Sequence, residues 1–356
     1  MYDNRTLILC NSAFQLLTAI QLRRTLFAQR PVDLLLSDHL TGAEHICENL
    51  RQCNVFGNVV YIRTKRRNFK TRWAETCHDL CLIRKLKSQL GLYHTFCIAN
   101  ISVFSILFTR FYQHPMPEVA LYEDGFVTYC QCFEHFDKAS FPARLLLPKG
   151  VLEYAKNIYL FNPQLLEWKR TTIQPISIPK LNPADASLVE LLNKVFNYTP
   201  QANPYNRPFI FLEESFAADN FKVNDIDLVE QIANIVGRDN LIIKLHPRST
   251  LNRFAPLGYT TGMNTSVPWE LVLLNSHMTD SVLISISSSA MLQPYLLLDM
   301  PVRSISLLGL LSQKPGNMQG ELGIFMQSLF LKYNDICFSP QNLNELATCL
   351  HTLSEK

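Results

Sequence analysis

The chain has 356 residues, of which 47% are hydrophobic and 18% charged, so its composition is that of a globular protein with a sizeable core. This length suggests two or three domains, or one large domain. The net charge of +3 is too small to indicate a nucleic-acid-binding protein, and no nucleic-acid partner is expected.

Short apolar runs alternate with helical patterns along the whole chain. Such runs are typical of parallel strands covered by helices on both faces. The first half has predicted strands at Leu7–Cys10, Val32–Leu36, Val59–Ile62, Thr95–Ala99, Val119–Tyr122 and Ile158–Phe161. The second half has them at Phe209–Leu212, Leu241–Leu245, Val282–Ile286 and Val302–Ile305. Strands that alternate with helices indicate doubly wound α/β sheets.

A proline-rich stretch separates the two halves. It runs from Asn162 to Phe209 and has little strand pattern, as expected of a linker with its flanking turns. We therefore predict an N-terminal Rossmann-like domain at 1–165, a linker region at 166–207 and a C-terminal Rossmann-like domain at 208–356, facing each other across a cleft. Ligands of such sheets bind at the carboxyl ends of the strands.

The cysteines and the apolar segments bear on the compartment of the protein. Ten cysteines without paired C-x-x-C spacing favour free thiols in a reducing cytoplasm over a metal site or disulfides. No signal-peptide pattern is found, and polar residues interrupt the longest apolar region, at 95–112, so no membrane span is predicted.

Basic residues are concentrated between Arg63 and Lys87. The segment is either a solvated helix face and loop or a site for an anionic surface or acceptor, such as lipid headgroups or phosphorylated glycans. The second interpretation predicts peripheral contact with the inner face of the inner membrane.

Two polar clusters follow predicted strands of the first half. Asn11 and Gln15 follow the first strand, where Asn11-Ser12 either cap the next helix or contact substrate. Glu123 and Asp124 precede Gly125, which permits a tight turn that exposes acids at a strand end. Such an acid could act as a base, although an ordinary turn explains the same pattern.

Acidic residues also follow the first strand of the second half. Glu213, Glu214 and Asp219 stand just beyond Leu212. Favourable charge at a helix N-terminus is the ordinary explanation, and a catalytic carboxylate is the alternative. The Asp225-x-Asp227 pair lies at the start of a helical pattern, where helix capping is expected rather than metal binding.

Two further clusters predict a phosphate site in the second half. His246 directly follows a strand, Pro247 fixes the backbone beyond it, and Arg248 adds positive charge. Ser287, Ser288 and Ser289 follow another strand and precede a helical pattern, where hydroxyl and N–H groups can bind an anion. A structural histidine and simple helix capping are the competing interpretations.

These motifs together resemble those of bacterial sialyltransferases. The acidic-acidic-Gly motif at 122–125, the His-Pro motif at 244–248 and the Ser-Ser motif at 287–290 occur in the family's order. The opening at 9–15 is most similar to glycosyltransferase family 52, the lipooligosaccharide sialyltransferases. The resemblance implies a GT-B fold, an acceptor-side N-terminal domain and a C-terminal domain that binds the CMP-sugar donor.

The resemblance also implies the reaction. It is an inverting transfer of sialic acid from CMP-sialic acid to a terminal galactose or related sugar of a surface lipooligosaccharide or capsular glycan, through an α-2,3 linkage, with no cofactor and no required metal. His246 would assist departure of the phosphate, and Ser288 and Ser289 would hold it. Asp219 corresponds best to the family's base, with Glu214 as a rival, whereas related families place the base at Glu123 or Asp124.

Three alternatives stay open at this point. One is a transferase for another CMP-sugar, such as Kdo or another nonulosonic acid. Another is a non-catalytic protein that binds or assembles nucleotide sugars. The last is a polymer-forming phosphotransferase that uses CDP-alcohols. A homodimer is a further hypothesis.

Overall fold

The computed structural model describes residues 4–65, 72–131, 151–168, 170–200, 205–217, 221–249, 251–262, 267–276, 278–312 and 320–354. The chain divides into two compact units. One comprises Met1–Pro179 with Glu190–Asn197, and the other comprises Lys180–Val189 with Tyr198–Lys356. Within the described ranges, no helix is both long and apolar enough to cross a membrane.

The first unit contains a parallel sheet of seven strands. These are β1 (Thr6–Cys10), β2 (Val32–Ser37), β3 (Val59–Ile62), β4 (Thr95–Ile98), β5 (Glu118–Tyr122), β6 (Ala155–Leu160) and β7 (Gln174–Ser177). The helices of this part of the chain are α1 (Ala13–Arg24), α2 (Ala43–Cys53), α3 (Arg72–Leu86), α4 (Val103–Phe111), α5 (Val127–Cys130) and α6 (Ala186–Val195).

The strand order of this sheet brings two polar strand ends together. The order is β3-β2-β1-β4-β5-β6-β7, so the chain progresses outward in opposite directions from β1 and β4. Thr6 of β1 pairs in parallel with Thr95 of β4, and the two strands end at the same edge of the sheet. In doubly wound sheets this switch point is where ligands bind.

The second unit contains a parallel sheet of five strands in the order β12-β11-β10-β8-β9. The strands are β8 (Phe209–Leu212), β9 (Leu241–Lys244), β10 (Val282–Ser285), β11 (Arg303–Ser306) and β12 (Cys337–Phe338). The helices are α7 (Asp225–Val236), α8 (Trp269–Leu274), α9 (Gln293–Leu298), α10 (Glu321–Lys332) and α11 (Leu343–Ser354). Strand β8 lies between β9 and β10, and this order positions the residues discussed below.

Burial explains why both sheets form from such short strands. Every residue of β1, β2, β4, β8 and β10 is buried, because helices cover both faces of each sheet. In the second unit, α7 and α11 pack apolar side chains such as Val229, Ile232 and Leu350 against strand residues such as Phe209 and Ile243. The prediction of two parallel-sheet α/β domains is confirmed.

The stretch expected to be a linker at 166–207 contains regular structure. Strand β7 adds to the first sheet beside β6, with Ile158 opposite Pro175, and α6 follows it. The chain passes from the first unit to the second at residue 180, returns at 190 and leaves again at 198. The short exposed strand β7 has no apolar pattern that would predict it.

Candidate functional site

Four polar side chains meet at the switch point of the first sheet. The amide of Asn11 donates to Asn100 Oδ1 at 3.3 Å, and the amide of Asn100 donates to Asp124 Oδ2 at 3.4 Å. Gln15 hydrogen-bonds the same aspartate carboxylate and accepts the Asn11 backbone N–H at 2.6 Å. Three residues expected from the sequence, Asn11, Gln15 and Asp124, therefore belong to one hydrogen-bonded cluster, in which Asn100 links Asn11 to Asp124 and Gln15 contacts both directly.

Asp124 has the environment of a carboxylate that can accept a proton. It is half-buried, and burial raises its pKa above the ordinary value, although hydrogen bonds from Gln15 and Asn100 lower it. Gly125 has φ of 75°, a conformation that favours glycine and that turns the chain directly beyond the acid. A raised carboxylate pKa brings proton acceptance closer to neutral pH, which suits a general base.

Glu123, the neighbouring acid, is part of the core. It is 1% exposed, and its Oε2 accepts hydrogen bonds from the Tyr129 hydroxyl and from the Phe161 backbone N–H, the latter at 2.8 Å. Burial raises the pKa of Glu123 to about 7, against these two hydrogen bonds, which lower it. This carboxylate ties the β5 end to the chain beyond β6.

A cavity of about 550 Å³ opens at the carboxyl ends of β2 and β3. Its lining includes His39, His45, Tyr61, Arg63 and Lys65, together with the start of α2. Asp38 also lines it, but its Oδ1 accepts the backbone N–H groups of Thr64 and Lys65 at 2.8 and 2.6 Å. The cavity thus combines cationic side chains with an aromatic ring.

The basic segment expected at 63–87 is only partly described. Arg63 and Lys65 are exposed at the cavity, and Arg84, Lys85 and Lys87 are exposed at the end of α3. Residues 66–71 lie outside the described residues. The described cations therefore lie at both ends of the segment.

In the second unit, His246 begins a turn directly after β9. Its Nδ1 accepts the Arg248 backbone N–H at 3.1 Å, which assigns the proton of the neutral ring to Nε2. The Ser249 N–H closes the turn on the His246 carbonyl at 2.9 Å. Pro247 and Arg248 are exposed, and the Arg248 guanidinium donates to Ser215 Oγ at 2.6 Å.

The serine turn, residues 285–289, follows β10. Ser287 donates its backbone N–H to Glu214 Oε1 at 2.5 Å and its hydroxyl to Glu214 Oε2 at 2.9 Å. Ser288 caps a short 3-10 turn at Ser289–Met291 by accepting the Ala290 N–H at 3.3 Å. Regular α-helix starts only at Gln293, so the helical pattern expected from Ala290 begins later than predicted.

Glu213 and Glu214 are not helix N-terminal charges, because the next helix in the described chain starts at Asp225. Glu213 is buried, and its carboxylate accepts the His246 N–H at 3.0 Å and the Ser249 hydroxyl at 2.7 Å. Glu214 accepts from the serine turn instead. Burial raises the pKa of Glu214, and the hydrogen bonds from Ser287, Ser285 and Ser288 lower it.

Arg253 supplies a charge that Glu213 needs in the core. Its guanidinium donates to Glu213 Oε1 at 3.0 Å and also forms two hydrogen bonds with the Asp225 carboxylate. Asp225, the first acid of the D-x-D sequence, is therefore paired with an arginine. Helix capping, the role expected for this acid, is not what the structure shows, because the N-cap position of α7 is Asn224 and the Asp225 carboxylate binds Arg253.

A second charged side chain near the His246 turn is that of Lys244, the last residue of β9. Burial lowers the pKa of Lys244, while the nearby carboxylates of Glu270 and Glu213 raise it. Its ammonium lies 5.5 Å from the centre of the Trp269 ring. Burial also raises the pKa of Glu270, and the charge of Lys244 lowers it.

The sequence-based candidates thus fall into two groups, one in each unit. Asn11, Gln15 and Asp124 form one group, and His246 and Ser287–Ser289 form the strand-end turns of the other. Asp219 lies outside the described residues. Sequence reasoning missed Asn100 and Arg253. Asn100 stands directly behind a predicted strand, which is the pattern that could have indicated it.

Comparisons with known proteins identify a family and a fold. A family model described as alpha-2,8-polysialyltransferase (POLYST) matches residues 6–306. No curated protein matches the sequence.

Two solved structures illustrate the fold. Arabidopsis thaliana UGT89C1 complexed with UDP-L-rhamnose has 9% identity and a TM-score of 0.55, covering 100% of this chain and 90% of its own. Methanocaldococcus jannaschii UDP-GlcNAc 2-epimerase, in complex with UDP-GlcNAc and UDP, has 12% identity and a TM-score of 0.54, covering 99% and 93%. At these identities the similarity shows the fold alone, which is GT-B-like.

The buried Glu123 generates a prediction about pH-dependent stability. Its pKa in the folded chain is about 7 against an ordinary 4.5, so the folded state holds a proton that the unfolded state releases between these values. Stability of the wild type therefore falls as pH rises through this window, by on the order of 1 to 3 kcal/mol.

Glu123→Gln has no proton to lose at this position. Its free energy of unfolding is measured with urea from pH 4.5 to 8 and compared with that of the wild type. The difference should change in favour of the variant up to about pH 7 and stay constant above it. Parallel curves across the whole range would contradict this account of Glu123.

Proposed function

We propose that this chain, which belongs to the alpha-2,8-polysialyltransferase family, transfers sialic acid from CMP-sialic acid to a hydroxyl group of a glycan, inverts the anomeric carbon and requires no metal. The family match supports sialyl transfer, and the GT-B-like fold is compatible with it. One observation carries the assignment of the donor site. The turns at His246 and at Ser287 follow β9 and β10, the two strands that flank β8. The first turn binds Glu213 and the second binds Glu214, which are consecutive residues directly beyond β8.

The leaving phosphate would bind at these two turns. As the bond between the anomeric carbon and the phosphate oxygen breaks, negative charge grows on CMP. His246 donates a hydrogen bond from its Nε2–H to that oxygen, Ser288 and Ser289 donate further hydrogen bonds, and Arg248 adds positive charge. Fixed donors of this kind stabilise developing charge without reorganising.

The nucleophile would be a hydroxyl of the acceptor. Its oxygen forms the new bond to the anomeric carbon, and its proton passes to Asp124. The raised pKa of Asp124 and its hydrogen bonds to Asn100 and Gln15 support this role. Glu123 is a poorer candidate because its carboxylate is buried and bound to Tyr129 and Phe161, and Glu214 is a poorer one because both its oxygens accept from Ser287. Asp219 stays a candidate from the family resemblance.

The acceptor is proposed to be a sialic acid-terminated surface glycan, joined through an α-2,8 linkage. The description of the family favours this linkage, and it gives no support to the α-2,3 linkage to galactose that the sequence suggested. A lipooligosaccharide or capsular glycan is the expected carrier, as the resemblance to family 52 implied.

The cavity at β2 and β3 is proposed to hold this acceptor. A sialic acid carries a carboxylate, for which Lys65 and Arg63 provide positive charge, although Arg63 also pairs with Glu44 at 3.1 Å, and Tyr61 provides a flat apolar surface. We place the reaction in the cytoplasm, with the exposed cations at 63–65 and 84–87 against the anionic inner membrane. A homodimer is a further hypothesis, which light scattering on the purified chain tests.

A donor and acceptor panel tests the function. Purified chain is incubated with CMP-sialic acid, CMP-Kdo or CDP-glycerol, and with glycans ending in sialic acid or in galactose. We expect CMP release and a sialylated product only with CMP-sialic acid, with the α-2,8 product predominating. Phosphate in the product would identify a phosphotransferase, and CMP binding without any transfer would indicate a binding protein.

His246→Ala tests the donor site in the same assay. The variant should fold, bind acceptor and lose on the order of a hundredfold or more in the rate of transfer. A normal rate in this variant would rule out the leaving-group mechanism.

Asp124→Asn tests the base. The amide cannot take the acceptor proton, so kcat should fall by about a hundredfold or more, with a small change in KM for CMP-sialic acid. Glu123→Gln is the matched control, because it alters the adjacent acid and should retain most of kcat. Equal losses in the two variants would argue against Asp124 as the base.

Arg63→Ala and Lys65→Ala test the acceptor cavity. Each should raise KM for a sialylated acceptor about threefold to fivefold at low salt, because exposed ion pairs contribute modestly, and the effect should shrink in added salt. Lys156→Ala, an exposed lysine on β6 of the same unit, should leave KM unchanged. Unchanged KM in both cavity variants would exclude this site.

A further inference from the structure

The order of strands in the second sheet gives the end of β8 a special position. The strand is hydrogen-bonded to β9 on one side and to β10 on the other, all in parallel. Neighbouring strands lie about 4.8 Å apart, so the chain ends of β9 and β10 are separated by about twice that distance. The chain leaving β8 therefore starts between them at the carboxyl edge.

Glu213, the first residue past β8, binds the β9 side. Its Oε2 accepts from the His246 backbone N–H at 3.0 Å and from the Ser249 hydroxyl at 2.7 Å, the first and last residues of that turn. Its Oε1 accepts from Arg253 at 3.0 Å. The Glu213 backbone N–H also donates to the Lys244 carbonyl at 2.9 Å, so the contact fixes main chain and side chain together.

Glu214, the next residue, binds the β10 side. Its Oε1 accepts from the Ser287 N–H at 2.5 Å, and its Oε2 accepts from the Ser287 hydroxyl at 2.9 Å. The Ser288 N–H also bonds to this carboxylate. Both glutamates lie beyond the last residue of β8, and their carboxylates bind turns on opposite flanks of that strand.

We propose that Glu213 and Glu214 are positioning residues that together set the separation between His246 and the serine turn. The inference rests on the proposed function, in which these two turns hold the leaving phosphate. Covalent geometry holds the Cα atoms of adjacent residues about 3.8 Å apart. Two neighbouring glutamates that each bind one turn therefore constrain the distance between the two turns. Neither glutamate needs to touch the substrate.

This arrangement differs from a general stabilising role. When a charged acceptor is removed from a buried turn, the turn can relax. A displacement of a catalytic group by about 1 Å lowers the reaction rate strongly. If Glu213 acts through His246, its effect on rate should vanish once His246 is absent. The same logic links Glu214 to Ser287.

A double-mutant cycle tests the proposal. Glu213→Gln places an amide N–H₂ group against either Arg253 or the two donors of the turn, and kcat should fall at least tenfold while KM for the acceptor stays near the wild-type value. In a His246→Ala background, Glu213→Gln should change kcat less than twofold. The losses of kcat in Glu214→Gln and His246→Ala should likewise be less than additive. In a Ser287→Ala background, Glu214→Gln should leave kcat unchanged.

Asp225→Asn is the matched control. Asp225 is buried in the same unit and binds the same Arg253, and its hydrogen bonds to that guanidinium involve neither turn. It should lower the urea midpoint and leave kcat within about twofold. An equal loss of kcat in this variant would show that Glu213→Gln acts through stability, and would overturn the proposal.

Ser249→Ala keeps the test usable if Glu213→Gln does not fold. It removes one donor to Glu213 and leaves every charge in place, and kcat should fall about threefold, with no further loss in the His246→Ala background. Additive losses in these cycles would refute the positioning role. A normal rate in His246→Ala alone would instead refute the proposed function, so the two failures are distinguishable.

Discussion

A carboxylate that is removed from water must be surrounded by hydrogen-bond donors, and the carboxyl edge of the second sheet is organised around that requirement. The donors for Glu213 and Glu214 are backbone N–H groups, serine hydroxyls and one arginine, and they come from the segments that follow the two flanking strands. Each donor satisfies a buried charge and is itself held in place. Burial of these carboxylates therefore costs solvation free energy, and the hydrogen bonds that offset this cost fix the geometry of the loops.

The first unit shows the same physical rule with two outcomes in adjacent residues. Glu123 is enclosed and bound by Tyr129 and by the chain after β6, so its charge state is coupled to folding. Asp124 is half-buried, and the amide groups of Asn100 and Gln15 hydrogen-bond its carboxylate. Two adjacent acids therefore differ in enclosure, one being fully buried and the other only partly buried.

The sequence predicted the buried strands, because parallel strands that helices cover on both faces appear in a sequence as continuous apolar runs. It could not predict β7 or β12, since one is exposed and the other has two residues. It identified the polar strand ends but not the division of labour among neighbouring acids. That division depends on donors far along the chain, such as Phe161 for Glu123 and Ser287 for Glu214, which only the fold brings into contact.

The exchange of chain between the units has a practical meaning for protein engineering. Residues 180–189 belong to the second unit, where the Leu181 N–H donates to the Leu297 carbonyl at 2.9 Å and Lys180 binds the Tyr295 carbonyl at 3.2 Å. A single cut anywhere in 166–207 would leave one half with a piece of the other's core. Chimeras that exchange one unit between relatives should therefore take 180–189 from the parent of the second unit, while 190–197 follow the first.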